Sequence, residues 1–324
     1  DLSLFNNRLT VTADIYQRTT KDMIGPAEAI PDIGGIAVDQ RAKVNNATLR
    51  NRGWELSINW ADQLKNGFSY GIGFNIFDYK AVVTKYNNPE GLIYNNHTGL
   101  ERNRGYYEGM NLGEIWGYEA NDLFLTNQEV DEYLKGVDMS FFKPNKDWQR
   151  GDLKYIDSNG DGKIDPGSGT LKDHGDLKVI GNTTPRYSFG VNLHAGYKGF
   201  EVSALFQGVM KRDFPMAAST YLFSGDSNFF KEHLDYYNVY NPGAYLPRLT
   251  KPDSPEYNAN AGYNTTRYLL NAAYMRLKNL MISYNFQPKL VKKIGLENLK
   301  VYFTCDNLFT IDNLPDVFDP ETLN

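Results

Sequence analysis

The chain of 324 residues has a single cysteine, Cys305, so it forms no internal disulfide and no cysteine-based zinc cluster. Cys305 falls in an alternating segment, where a small apolar filler is the simplest role for it. Nowhere does the sequence approach the roughly 18 to 20 consecutive apolar residues of a membrane-spanning helix, which excludes a helical membrane protein. Strands escape that exclusion, because they cross a bilayer by alternating and look only half apolar. A basic stripe is also missing. With 34 Lys and Arg against 39 Asp and Glu the net charge is −5, so no nucleic acid partner is expected. His97, His174, His194 and His233 stand singly, without metal-type pairing or a nucleophile elbow. No catalytic residues are expected, and the chain is read as a non-enzyme. The first residue is Asp1 with no signal peptide before it, so the chain is expected to be processed, truncated or cut from something larger.

Aromatic residues make up 14% of a sequence whose mean hydropathy is only −0.52, and much of the apolar content is arranged by period two. Tyr187, Phe189, Val191, Leu193 and Ala195 alternate with Arg186, Ser188, Gly190, Asn192 and His194. After Lys198-Gly199, Phe200, Val202, Ala204 and Phe206 alternate with Glu201, Ser203 and Gln207. The same pattern predicts strands near 8–20, 51–61, 68–85, 185–197, 200–210, 272–286 and 299–311. One of these is irregular: Arg276 and Lys278 share a parity with Leu280, Ile282 and Tyr284. Connections alternate between short turns and long excursions over 22–50, 86–184 and 211–271. In an up-and-down meander all short turns then share one rim, as in outer-membrane barrels. Trp60, Phe68, Tyr197, Phe200 and Phe286 sit beside the short turns, where rings form an interfacial girdle. The expected fold is all-β: an antiparallel up-and-down transmembrane β-barrel, here an incomplete segment. The alternative is a soluble sandwich, whose strands alternate in the same way.

Asp157-Ser-Asn-Gly-Asp-Gly-Lys-Ile-Asp165 spaces oxygen ligands as an EF-type calcium loop does. Asp157, Asn159 and Asp161 stand at positions one, three and five, the Lys163 carbonyl at seven and Asp165 at nine, with Gly162 at the sharp turn. Ser168 replaces the bidentate Glu of position twelve, and Asp173 or Asp176 would close the shell from outside the repeat. A structural calcium bracing a long loop is expected; the bland reading is an acidic turn that binds nothing. The excursions are rich in rings, among them Trp116, Tyr118, Tyr221, Phe229, Phe230 and Tyr263. Such rings stack on sugar faces or pack the loops into small cores, and packing is the better reading for any one of them.

An ordered series of motifs runs nearly end to end: Asn51-Arg-Gly-Trp-Glu-Leu-Ser-Ile, Gly109-Met-Asn-Leu-Gly-Glu-Ile-Trp-Gly-Tyr118, the Gly151 to Asp165 loop, Ile180-Gly-Asn, Pro185-Arg-Tyr-Ser-Phe-Gly, Phe206-Gln-Gly, Tyr274-Met-Arg-Leu-Lys-Asn-Leu and Asp306-Asn-Leu-Phe-Thr310. Together these resemble the C-terminal barrel region of SusC/RagA-type TonB-dependent outer-membrane transporters. The resemblance implies a 22-stranded barrel with an N-terminal plug, a SusD-like surface lipoprotein as lid, and import of oligosaccharides, or of peptides in some members, driven by the TonB complex. The plug and TonB box are expected to be absent here, as is the closing strand. The residues assigned to substrate are Trp116, Tyr118 and the lumen-facing candidates Arg186, Asn192, His194, Glu201 and Gln207. Two rivals remain: a soluble secreted calcium-stapled carbohydrate-binding module, and a surface glycosidase.

Overall fold

The computed structural model describes residues 1–25, 43–93, 105–120, 122–216, 231–251 and 254–323; His97, Tyr221, Phe229 and Phe230, and much of 22–50, lie outside them. Eight strands form one antiparallel sheet: β1 (Leu2–Leu4), β2 (Leu9–Gly25), β3 (Val44–Gln63), β4 (Ser69–Lys85), β5 (Arg186–Tyr197), β6 (Phe200–Lys211), β7 (Tyr274–Asn285) and β8 (Lys300–Asp312). Each pairs with its neighbour along the chain, and β1 and β8 are the open edges. The sheet is an up-and-down wall that does not close on itself.

Register turns the sequence alternation into two continuous faces. Leu9 lies opposite Trp60, Trp60 opposite Ile72, Ile72 opposite Leu193, Leu193 opposite Ala204, Ala204 opposite Leu280 and Leu280 opposite Cys305. One residue away, Asn59, Gly73, Asn192, Leu205, Asn279 and Asp306 form the matching row of the other, mainly polar face. A sandwich would bury the apolar face under a second sheet. Here Ile15 is 91% exposed and Phe303 63%, so that face is bare, as a lipid-facing wall requires. Near the short turns, rings touch across strands: Phe68 with Tyr197 at 6.4 Å, Phe200 with Tyr284 at 4.5 Å and Phe5 with Trp60 at 6.1 Å between centroids.

The irregular strand has a structural explanation. In β7, Asn279 faces Leu205 and Leu277 faces the next residue, Phe206, so Lys278 is inserted as a bulge. The strand changes parity there. Arg276 joins the polar face opposite Gln207 and Thr310, while Leu277 joins the apolar face opposite Phe206 and Phe309. Arg276 donates to Thr310 Oγ1 at 2.7 Å, Glu321 at 2.8 Å and Asp319 at 2.8 Å, and Lys278 pairs with Glu321 at 2.7 Å. The apparent charges on the lipid side are thus neutralised elsewhere.

Strands β2 and β3 also run farther than their alternation indicates, with Gly25 paired to Val44 inside the segment 22–50 read as a loop. Beyond Thr20 the alternation lapses, with Lys21 beside Asp22 and Met23 beside Ile24, so the period-two signal ends while the hydrogen-bond ladder continues past register shifts between Thr20 and Met23 and between Met23 and Ile24.

The excursion joining β4 to β5 and the one joining β6 to β7 fold together as a cap on the long-loop rim. Tyr118, Phe124, Trp148, Leu153 and Tyr155 of the first share one core with Tyr237, Leu246, Tyr257, Ala259 and Tyr268 of the second. The first excursion is tied to the wall by Leu112 N to Ala81 O at 2.8 Å and Val83 N to Met110 O at 2.9 Å.

Candidate functional site

The polar face holds four of the residues assigned to the lumen. Asn192, His194 and Gln207 are exposed on it, and a trough of about 500 Å³ runs beside them, lined by Asn59, Gly71, Gly73, Asn192, His194 and Asn279. Gly71 makes room for the imidazole: a Cβ there would meet His194 Nδ1 at 2.6 Å. Its uncharged lining groups offer donors and acceptors. Glu201 shares this face nearer the short turns, where it accepts from Lys300 Nζ at 2.8 Å, Asn285 Nδ2 at 3.2 Å and Ser283 Oγ at 3.3 Å. Arg186 is placed apart from them. Both its Nε and Nη2 donate to the buried Asp78 carboxylate at 2.5 Å, a bidentate pair that locks β5 to β4.

Trp116 and Tyr118 belong to the cap. Tyr118 is only 1% exposed, with Phe142, Tyr155 and Tyr263 edge-on around it at 5.2, 5.7 and 5.8 Å. It presents no ring to solvent, which corrects its assignment as a substrate contact: core packing took the apolar body, and burial holds its hydroxyl well above the usual tyrosine range. Trp116 is half-buried between Tyr107 and His174, with ring centroids at 6.4 and 5.7 Å.

In the acidic loop the side chains serve the backbone. Asp157 accepts from Gly160 N at 2.6 Å and Gly162 N at 2.8 Å, Asn159 Oδ1 from Asp161 N at 3.0 Å, Asp161 from Lys163 N at 2.8 Å, and Asp165 from Gly167 N at 2.7 Å. These are Asx turns, which the Asn, Asp and Gly spacing favours with or without a cation. Ile164 is 1% exposed and donates to Asp138 O at 2.9 Å, pinning the loop to the cap. The buried Asp176 accepts from Ser158 N at 2.7 Å and Asp165 N at 3.0 Å, and burial, with the nearby Asp157 charge, raises its carboxyl above the usual range. Among the described residues no three His, Cys, Asp or Glu gather as a metal site.

A set of buried polar residues was not anticipated from the sequence. Asp152 is fully buried and accepts from Lys143 Nζ at 2.6 Å, Arg248 Nε at 2.6 Å, Asn260 Nδ2 at 2.8 Å and Gln149 N at 3.0 Å. The Lys143 ammonium also lies 4.3 Å from the centre of the Trp148 ring. Burial pulls the Lys143 ammonium below the usual lysine range, and the Asp152 charge opposes that shift. Arg248 and Asn260 come from the second excursion and Asp152 from the first, so this network joins the two halves of the cap. No local pattern marks it, because Arg248 and Asn260 lie about a hundred residues beyond Asp152.

Among known proteins, no family model matches the chain. TonB-dependent receptor P3 of Formosa agariphila (strain DSM 15362 / KCTC 12365 / LMG 23005 / KMM 3901 / M-2Alg 35-1) is 27% identical over 99% of this chain. TonB-dependent receptor P39 of the same organism is 29% identical over all of it. The chain is related to the TonB-dependent receptors along its whole length. It spans 30% of the length of receptor P3 and 32% of receptor P39. The fold agrees: the structure of the RagAB peptide transporter superposes with a TM-score of 0.66 at 21% identity, covering 98% of this chain and 31% of that one. The RagAB peptide importer in its open-open state gives 0.68 at 20% identity, again covering 98% and 31%. The wall of this TonB-dependent receptor relative is therefore an incomplete stretch of RagA-type barrel, and the resemblance to the SusC/RagA type read from the motifs stands. The relatives are named as receptors and transporters, not as enzymes.

Proposed function

We propose that the chain contributes wall, lumen lining and outer cap to an outer-membrane importer that takes up oligosaccharides, energised by the TonB complex and lidded by a SusD-like lipoprotein. The observation that supports the membrane reading is the bare apolar face backed by a mainly polar one, with the cap on the rim opposite the short turns. The trough supports the saccharide reading. Its polar lining consists of amides, a hydroxyl and an imidazole with no charged side chain, which suits a ligand rich in hydroxyls. No catalysis is part of this function.

A second reading, import of peptides, is favoured by the fold neighbours, which are described as a peptide transporter and importer. Native mass spectrometry of the full-length receptor, equilibrated with mixed oligosaccharides and mixed oligopeptides, separates the two. Retained oligosaccharides are expected. Retained peptides would replace the first reading with the second, and retention of neither would remove both.

The acidic loop is proposed to bind calcium as a brace for the cap. Asp157, Asn159, Asp161, Asp165 and the Lys163 carbonyl would hold it, as hard oxygen donors suit that cation. A calcium titration followed by the thermal midpoint is expected to stabilise the native receptor and to leave the Asp157→Ala, Asp161→Ala double variant unmoved, since a ligand stabilises only the form that binds it. An equal response in both would refute the site.

A further inference from the structure

The outward face of the wall changes character at one height. On β3 and β4 the residues sharing the apolar parity run Trp60, Ile58, Leu56, Trp54 and Ile72, Phe74, Ile76, and then reach Arg52 directly opposite Lys80. Arg50 follows on the same face, opposite Val82. No register shift interrupts this stretch, so the parity carries through. Tyr70, stacked on Phe68 at the short-turn rim, lies ten residues before Lys80. At about 3.3 Å per residue and a tilt of about 45°, that is about 23 Å of height, nearly the full apolar band of about 25 Å. Arg52 and Lys80 therefore emerge where the band ends on the cap side.

Like charges directly opposite each other on one sheet face repel. Among the described residues nothing relieves this pair. No carboxylate among the described residues pairs with Arg50, Arg52 or Lys80, and Arg52 Nε donates to the neutral Gln17 Oε1 at 2.6 Å. The acid of that face, Asp78, is taken up by Arg186 through two bonds of 2.5 Å. A cleft of about 310 Å³ adjoins, where Lys80, Arg186 and Lys211 share the lining with Glu114 and Asp213. A planar guanidinium beside an ammonium, both exposed and neither paired with a carboxylate of the described residues at the edge of an apolar band, is the donor set that an anionic oxygen cluster satisfies.

We propose that Arg52 and Lys80, with Arg50 beside them, bind the phosphate of an anionic lipid headgroup in the outer leaflet. The site completes the like-charged pair with the counter-charge the sheet lacks, and it fixes the height of the wall in the bilayer. This inference rests on the outer-membrane reading above.

The test uses the full-length receptor in nanodiscs of equal phosphatidylcholine and phosphatidylglycerol, with the retained lipids counted by native mass spectrometry. The native receptor is expected to retain phosphatidylglycerol over phosphatidylcholine, and Arg52→Gln with Lys80→Gln to lower that preference roughly tenfold. Lys65→Gln, in a short turn, is expected to keep the preference. A double variant with unchanged preference, or a native receptor with none, would overturn the inference while leaving the membrane reading intact. Failure of the native receptor to enter pure phosphatidylcholine bilayers would overturn both together. Loss of the preference on adding inorganic phosphate would assign the site to free phosphate and overturn the lipid as occupant.

Discussion

Replacing Asp152 by alanine is expected to destabilise the cap by about 3 to 5 kcal/mol, the usual cost of removing one partner of a buried ion pair. The carboxylate satisfies four donors at once, and Lys143, the donor over the Trp148 ring, has a side chain that is 0% exposed. Without Asp152 that ammonium must lose its proton or find water, and either route opens the core. Arg248 and Asn260 lose their anchor on the first excursion at the same time, although Asn260 Oδ1 still accepts from Leu153 N at 2.7 Å. Native-state hydrogen exchange reads this directly: protection of Leu153 and Tyr155 should fall while that of the wall strands holds. The partly exposed pair Lys154 with Glu129, at 2.8 Å, supplies the contrast, and Glu129→Gln is expected to cost less than about 1 kcal/mol. Equal protection in the Asp152→Ala variant and the native receptor would mean that the network does not join the excursions.

The wall makes a second large prediction, decided by a single parity. Ile76 lies between Leu56 and Phe189 on the apolar face, six residues and about 14 Å above Tyr70, close to the middle of the band. Ile76→Arg is expected to cost about 2 to 4 kcal/mol, the cost of a cation facing lipid at mid-depth. Asn59→Arg, on the opposite face, is expected to cost less than about 1 kcal/mol, since it gives up only an exposed 3.2 Å bond to Ser57 Oγ. Denaturant titration of the full-length receptor in bilayers measures both. Similar costs at the two positions would argue that neither face meets lipid.

The sequence disclosed the wall because a strand with one apolar face writes its orientation at every second residue. Val191 and Leu193 against Asn192 and His194 already give the two faces, and the register only extends them sideways. It hid the bulge, because Lys278 looks like a charge misplaced on a lipid face until the pairing of Leu277 with Phe206 is known. It also hid the cap. Tyr155 donates to Ala259 O at 2.6 Å and Leu153 to Asn260, contacts that no local period encodes. The same blindness explains Tyr118. A ring in a polar excursion reads as available to a ligand, and packing against Phe142 and Tyr155 of its own excursion and Tyr263 of the second removes it from solvent. The acidic loop was legible as turn geometry, since each Asx side chain caps an amide two, three or five residues on. Whether its oxygens also take a cation depends on donors from outside the repeat, which spacing alone does not place.

The shared core of the two excursions also sets an order of events during folding. The hairpin of β5 and β6 lies between them in the chain, joined by the tight Lys198-Gly199 turn and in continuous antiparallel register from Phe200 opposite Tyr197 to Val209 opposite Ser188. Closing that hairpin needs only local contacts, whereas bringing Tyr155 to Ala259 directly would close a loop of about a hundred residues. Once the hairpin stands, the two excursions start from adjacent strand ends and the remaining closure is short. The cap should therefore be the last part to consolidate, with the strands acting as the template that delivers its two halves to each other.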